Sequence, residues 1–228
     1  MISNDLRRAI EAYALQLRDS GELFRHAARG LLTPNAVAYY VANLRILVEH
    51  TAPNLALARE CAVKQGNDAL AAHFAHKMTE EEGHERWAEN DLSNLRRKFS
   101  VPASSPSSPA IDDLLVYLRG AIRQEPMTYL AYILFAEYLT VLVGPELLLL
   151  LERHCGIPRS SMTVVGRHVE LDKGHVAEGL HEIDDLAADE RYSLPMQDTL
   201  RQSMAYFDQF CTEICAIARR ESRSHATA

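Results

Sequence analysis

The stretch YLAYILFAEYLTVLVGPELLLLL, residues 129–151, is almost wholly apolar and long enough to cross a bilayer as a helix. A helix that is apolar all round has two homes, a membrane or the centre of an all-α core. Glu137, Glu146 and the Gly144-Pro145 pair interrupt the run, and no second such stretch occurs. We read the segment as the central helix of a helical core and expect no membrane partner.

Helical signals surround it. Asn4-Asp5 can open a helix through about Asp19, with a second short one from near Ser20. Thr33-Pro34 is a capping residue followed by proline at the first helical position. The helix it opens carries Val37, Tyr40, Val41, Leu44, Leu47 and Val48 at helical spacing, with a kink expected at Pro53. Gly66-Asn67 ends that helix and caps the next, which is predicted to run to about Phe99. Residues 100–110, SVPASSPSSPA, are the one low-complexity linker. Helices near 111–123 and from about Pro126 to His154 follow, then a break at Gly156-Ile157-Pro158. Ser160-Ser161 are predicted to cap a helix through Glu182. Pro195 opens a last amphipathic helix to about Arg220, and ESRSHATA reads as a frayed tail over 221–228. No alternating β pattern is present. The expectation is an all-α, single-domain bundle of seven or eight helices over residues 1–228, the linker being a surface crossover.

Composition narrows the function. A formal charge of −7 argues against nucleic acid, which wants a basic face. MISNDLRRAIEAY lacks an apolar signal-peptide core, so a cytoplasmic location is expected. Cys61, Cys155, Cys211 and Cys215 lack CxxC spacing and read as reduced core residues. Cys211 and Cys215 are one helical turn apart and could pair on a metal, but Phe207, Phe210 and Ile214 around them point to packing.

The chemistry concentrates in three places. His168-x-x-x-Asp172-x-x-His175 puts two imidazoles and a carboxylate on one helical stripe. Imidazole with carboxylate is the ligand set of a first-row transition metal. Glu81-x-x-His84 offers a second such pair. It lies in the acidic run of Glu80, Glu81, Glu82 and Glu85, which standing alone would be a solvated face; Glu80 competes with Glu81 as the ligand. Glu137 lies amid Leu134, Phe135, Ala136, Tyr138 and Leu139, where a bare carboxylate would cost several kcal/mol. Glu146 is its rival, but follows Gly144-Pro145 and can serve a helix start instead. Glu81, His84, Glu137, His168, Asp172 and His175 together would hold two divalent ions, leaving positions for dioxygen and substrate.

In this order, Glu-x-x-His, a buried Glu and His-x-x-x-Asp-x-x-His resemble the haem-oxygenase-like di-iron oxidases and oxygenases. That superfamily has a seven-helix fold related to TenA and PqqC. LFRHAARGLLTPNAVAYYVANL also resembles the opening helices of these folds, and the similarity spans about residues 20–215. The C-terminal triple is its specific part. The resemblance implies two Fe(II) ions, O2 as co-substrate and a small-molecule substrate such as an amino acid or derivative. Family reactions include N-oxygenation, oxidative C–C cleavage or decarboxylation, and nitrile or alkene formation. It also allows a homodimer.

Two other readings stand beside it. A TenA- or PqqC-like enzyme without metal would use the same groups for acid–base work, and the TenA type would want a nucleophilic cysteine. A non-enzymatic binding protein would keep the metal as a structural staple. His73 and His76 read as packing or supporting groups, His26 and His50 as structural or pocket-lining. Tyr39, Tyr40, Tyr129 and Tyr132 could line a cavity. Arg45 and Arg167 are candidates for holding a substrate carboxylate.

Overall fold

The computed structural model describes residues 1–226, with side chains through Arg223. The described residues form nine helices and no strand: α1 (Ile2–Ser20), α2 (Glu22–Ala28), α3 (Pro34–Lys64), α4 (Asp68–Glu80), α5 (Glu85–Phe99), α6 (Pro109–Gln124), α7 (Thr128–Cys155), α8 (Thr163–Leu186) and α9 (Ser193–Ala226). The all-α bundle is therefore observed. The additional helix arises because the one expected from Asn67 to Phe99 splits at residues 81–84.

Local chemistry sets most boundaries. Thr33 accepts from the Ala36 amide, Asn67 from Leu70 and Ser108 from Ile111, each with its side-chain oxygen. Pro34 and Pro109 occupy first-turn positions where no amide is missed. The expected start of α1 at Asn4-Asp5 is corrected to Ile2, without a side-chain cap. The tail expected to fray from Glu221 is instead helical to Ala226, where the description ends. Asn35 donates to the Glu221 carboxylate and helps hold that end on the bundle.

The apolar segment is the middle of the molecule. α7 packs against α1, α2, α6, α8 and α9, which explains why it is apolar on so many sides. One hydrophobic cluster draws side chains from every helix. At Gly144 a β-carbon would lie 2.6 Å from Val169 Cγ2, so only glycine lets α8 seat this closely on α7. By contrast α3 and α7 scarcely touch, and the gap between them becomes a cavity.

The serine–proline linker is tied down at its end. The fully buried Asn43 accepts from the Ser108 amide at 2.7 Å and donates to the Pro106 carbonyl. Glu213 accepts from Ser108 Oγ, from Tyr39 at 2.9 Å and from the Ala110 amide. The crossover thus delivers α6 onto α3 and α9.

Candidate metal centre

Between α4 and α5 the chain turns at Gly83, whose φ of +86° is left-handed and favours glycine. The turn, rather than a shared helical face, brings His84 Nδ1 to 3.3 Å from Glu81 Oε2. The pairing expected from the sequence is found, but its structural cause is corrected.

Two three-residue groups overlap here. Glu81, His84 and His168 present ligand atoms all within 4.8 Å of one another, and so do Glu81, Glu137 and His175. Glu81 belongs to both. α7 supplies Glu137, α8 supplies the two other histidines, and the α4–α5 turn supplies the remaining pair. Of the six expected ligands, five fall in these groups. The sixth, Asp172, is buried beside them, 3.6 Å from His175 Nδ1. Glu80 instead sits against His76 at 3.3 Å and Lys77 at 3.1 Å, with His175 at 4.0 Å.

The first group is held stiffly. His168 Nδ1 lies 2.7 Å from the Val164 carbonyl, which can only accept, so Nδ1 carries the proton and Nε2 is left as the ligand atom. Trp87 stacks on His84 at 4.2 Å and meets the edge of His168 at 5.2 Å. The α8 N-terminus is fixed by a residue outside the expected ligand set. Buried Asp91 accepts from Thr163 Oγ1 and from the Val164 amide, both at 2.8 Å. The expected Ser160-Ser161 cap is corrected, because those residues belong to a short 3-10 turn.

The second group contains a cation. Lys77 is 4% exposed, and its Nζ donates to Glu137 Oε1 at 3.1 Å. Nothing in its sequence spacing predicts this, since a lysine three and four residues before glutamates ordinarily marks a surface pair.

Electrostatics follow from burial. Glu137 is pushed up to about 7 by desolvation and by the charges of Glu81 and Glu80, with Lys77 opposing. Asp172 rises to about 8 through desolvation and repulsion from Glu137 and Glu81. Burial also raises Glu81, but the close approach of His84 and the neighbouring positive groups outweigh that and lower it. Desolvation depresses His168, favouring the neutral imidazole that a metal requires. His84 Nδ1, His175 Nδ1 and Glu137 Oε2 are buried without hydrogen-bond partners. Such orphaned atoms, drawn together from three segments, suit a divalent first-row metal.

A cavity of about 180 Å³ opens between α3 and α7 and ends at Glu81, Glu137, His168 and Asp172. Leu44, Leu47, Ile133, Phe135, Leu139 and Val165 are among its walls, and Tyr40, Tyr129 and Tyr132 line it as expected. Tyr39 does not; it binds Glu213. Neither candidate arginine reaches the cavity, for Arg45 pairs with Glu49 and Arg167 lies over the Trp87 ring. His73 meets Glu182 at 3.1 Å, while His26 and His50 bond to carbonyls of their own helices. Glu146 pairs with Arg18 at 3.1 Å. Glu22, His26 and Cys215 also converge, but Arg219 binds Glu22 and burial pushes the Cys215 thiol up to about 12. That group is packing. Cys211 is likewise buried, with its thiol raised by desolvation.

No protein-family model matches the sequence, and no curated protein does. Solved structures do. A domain of unknown function with a haem oxygenase-like fold from Shewanella denitrificans OS217 superposes with a TM-score of 0.81 at 19% identity, covering 95% of this chain and 93% of that one. A CADD-like protein of unknown function from Nostoc punctiforme PCC 73102 gives 0.67 at 15% identity, covering 95% and 98%. A TenA homologue from Pseudomonas syringae pv. tomato str. DC3000 gives 0.66 at 15% identity, covering 93% and 91%. The chain has the haem oxygenase-like fold.

Proposed function

We propose that this protein is an O2-dependent non-haem di-iron oxidase or oxygenase acting on a small, largely apolar metabolite. One observation carries the reading: Glu81 is shared by two half-buried to buried three-ligand groups, and with Glu137 and His168 it lines an apolar cavity. A shared carboxylate is the usual bridge of a two-metal site on helices. Glu81, His84 and His168 would hold one ion, Glu81, Glu137 and His175 the other, with Asp172 beside the second. Bound ferrous iron would supply the electrons for dioxygen activation.

The chain's own part is positioning. Trp87 and the Val164 carbonyl fix the imidazoles, and the aliphatic walls exclude water and hold the substrate against the centre. Among the described residues no arginine or lysine lines the cavity, so apart from the metal ions a free amino acid would find no side-chain cation for its carboxylate. An amino-acid derivative with an apolar body fits better. A thiaminase-like reading has less support, because among the described residues no cysteine lines the cavity either.

Anaerobic loading with Fe(II) tests the proposal. Close to two irons per chain are expected, with O2 uptake on exposure to air and loss of both iron and uptake in His175→Ala. Trace iron only, in a folded protein with all six residues intact, would remove the reading.

A further inference from the structure

We propose that Lys77 is a built-in counter-ion of the Glu137–His175 half of the centre, which the second metal ion must displace; the inference rests on the two-metal reading above. Three facts support it. The lysine side chain is enclosed, 5% exposed, with its ammonium 3.1 Å from both Glu137 Oε1 and Glu80 Oε2. The same Glu137 Oε1 is 3.7 Å from His175 Nδ1, so ammonium and imidazole compete for one carboxylate oxygen. Among the ion pairs of the described residues, Lys77 is the one lysine or arginine that faces any of the six ligand residues.

The charge balance gives this a consequence. Glu80 also faces the ammonium, so with Glu81, Glu137 and Asp172 four carboxylates share the pocket, and Lys77 with one divalent ion offsets three of their four charges. A second divalent ion then enters a site with one negative charge left to offset and must take Glu137 from the ammonium. The ammonium would keep Glu80 but lose one of its two buried partners, which is costly, so the exchange opposes the second ion. The first group contains no such competitor and fills first. Lysine suits the role because its ammonium is a compact point charge on a flexible stem that can leave. An arginine fork on Glu137 would be harder to dislodge.

Anaerobic titration with cobalt(II), followed calorimetrically and by its visible ligand-field bands, tests the inference. The unaltered protein should bind one ion tightly and a second more weakly. Lys77→Met should tighten the second by roughly tenfold or more while leaving the first nearly unchanged. The double variant Lys77→Met/Glu80→Gln, which does not leave Glu80 unpaired, should behave alike. Unchanged or weakened second binding in folded variants would overturn the inference. So would two equal sites in the unaltered protein, an outcome that leaves the two-metal reading standing; no cobalt bound at all would remove both.

A second readout needs no variant. Acetylation mapped by mass spectrometry should spare Lys77 in the metal-free and one-ion protein and reach it once the second ion binds. Lys64, Lys98 and Lys173 are exposed and serve as internal controls. Continued protection of Lys77 with both ions bound would contradict the proposal.

Discussion

The two halves of the centre share Glu81 but are built on different principles. The Glu81–His84–His168 half is held by packing and hydrogen bonds: a stacked indole, a backbone carbonyl and the Asp91 cap of α8. The Glu81–Glu137–His175 half is held by charge, with a buried ammonium among carboxylates and two of those carboxylates raised toward neutrality. The first is pre-organised for a metal. The second is internally compensated, and a metal there has to rearrange the compensation. Geometry alone makes the halves look equivalent, and burial with charge separates them.

Substituting the shared carboxylate should have the largest effect. Glu81→Ala is expected to remove both ions, while His84→Ala removes the first and leaves a residual weak one. Metal analysis of the purified, reloaded proteins distinguishes these. Equal loss in both variants would show that the halves are not separable in this way.

Next comes the contact between the helices bearing the second half. Gly144→Val would drive side-chain carbon into Val169 and lift α8 from α7. Overpacking of this kind costs about 1–3 kcal/mol, or a melting temperature lower by roughly 2–12 °C for a domain of this size. Metal binding at the Glu137 half should weaken with it. Calorimetry on the metal-free protein checks the first effect. Unchanged melting would mean that α8 has room the structure does not show.

Removing the α8 cap should be milder. Asp91→Ala deprives Thr163 and Val164 of their acceptor. Lost caps cost about 0.5–2 kcal/mol, here partly offset because burial and desolvation raise the Asp91 carboxyl. Faster hydrogen exchange over residues 163–168, with little change near His175, is the specific signature.

How much of this was legible beforehand follows the same division. Spacing along a single helix was readable, hence the His168, Asp172 and His175 stripe, the central apolar helix and the caps at Thr33 and Asn67. Gly83 announced a break, but inside a charged, otherwise helical run its weight was missed and α4 and α5 were read as one helix. Lys77 and Asp91 were illegible for another reason. Their side chains are common on exposed helical faces, and only packing against α7 and α8 makes one a buried counter-ion and the other a cap. The cavity was half legible: its tyrosines were expected, whereas the arginines expected to serve it turn elsewhere.

The smallest expected effect is on pH dependence. Glu137 and Asp172 bind protons more tightly folded than unfolded, with folded values of about 7 and 8. Between roughly pH 4 and 8 the native metal-free chain therefore holds more protons, and its stability falls as pH rises. Chelator-treated protein should melt at a higher temperature at pH 6 than at pH 8. With Mn(II) the trend should reverse, because bound carboxylates must be ionised. The same trend with and without metal would show that these two carboxyls are not ligands.

The most direct test is anomalous diffraction at the iron edge from crystals grown with Fe(II) under anaerobic conditions. The account predicts two iron peaks, each bonded to a Glu81 oxygen, the first completed by His84 and His168 and fully occupied, the second by Glu137 and His175 at lower occupancy. Iron bound elsewhere, or a pair of ions that Glu81 does not bridge, would contradict it.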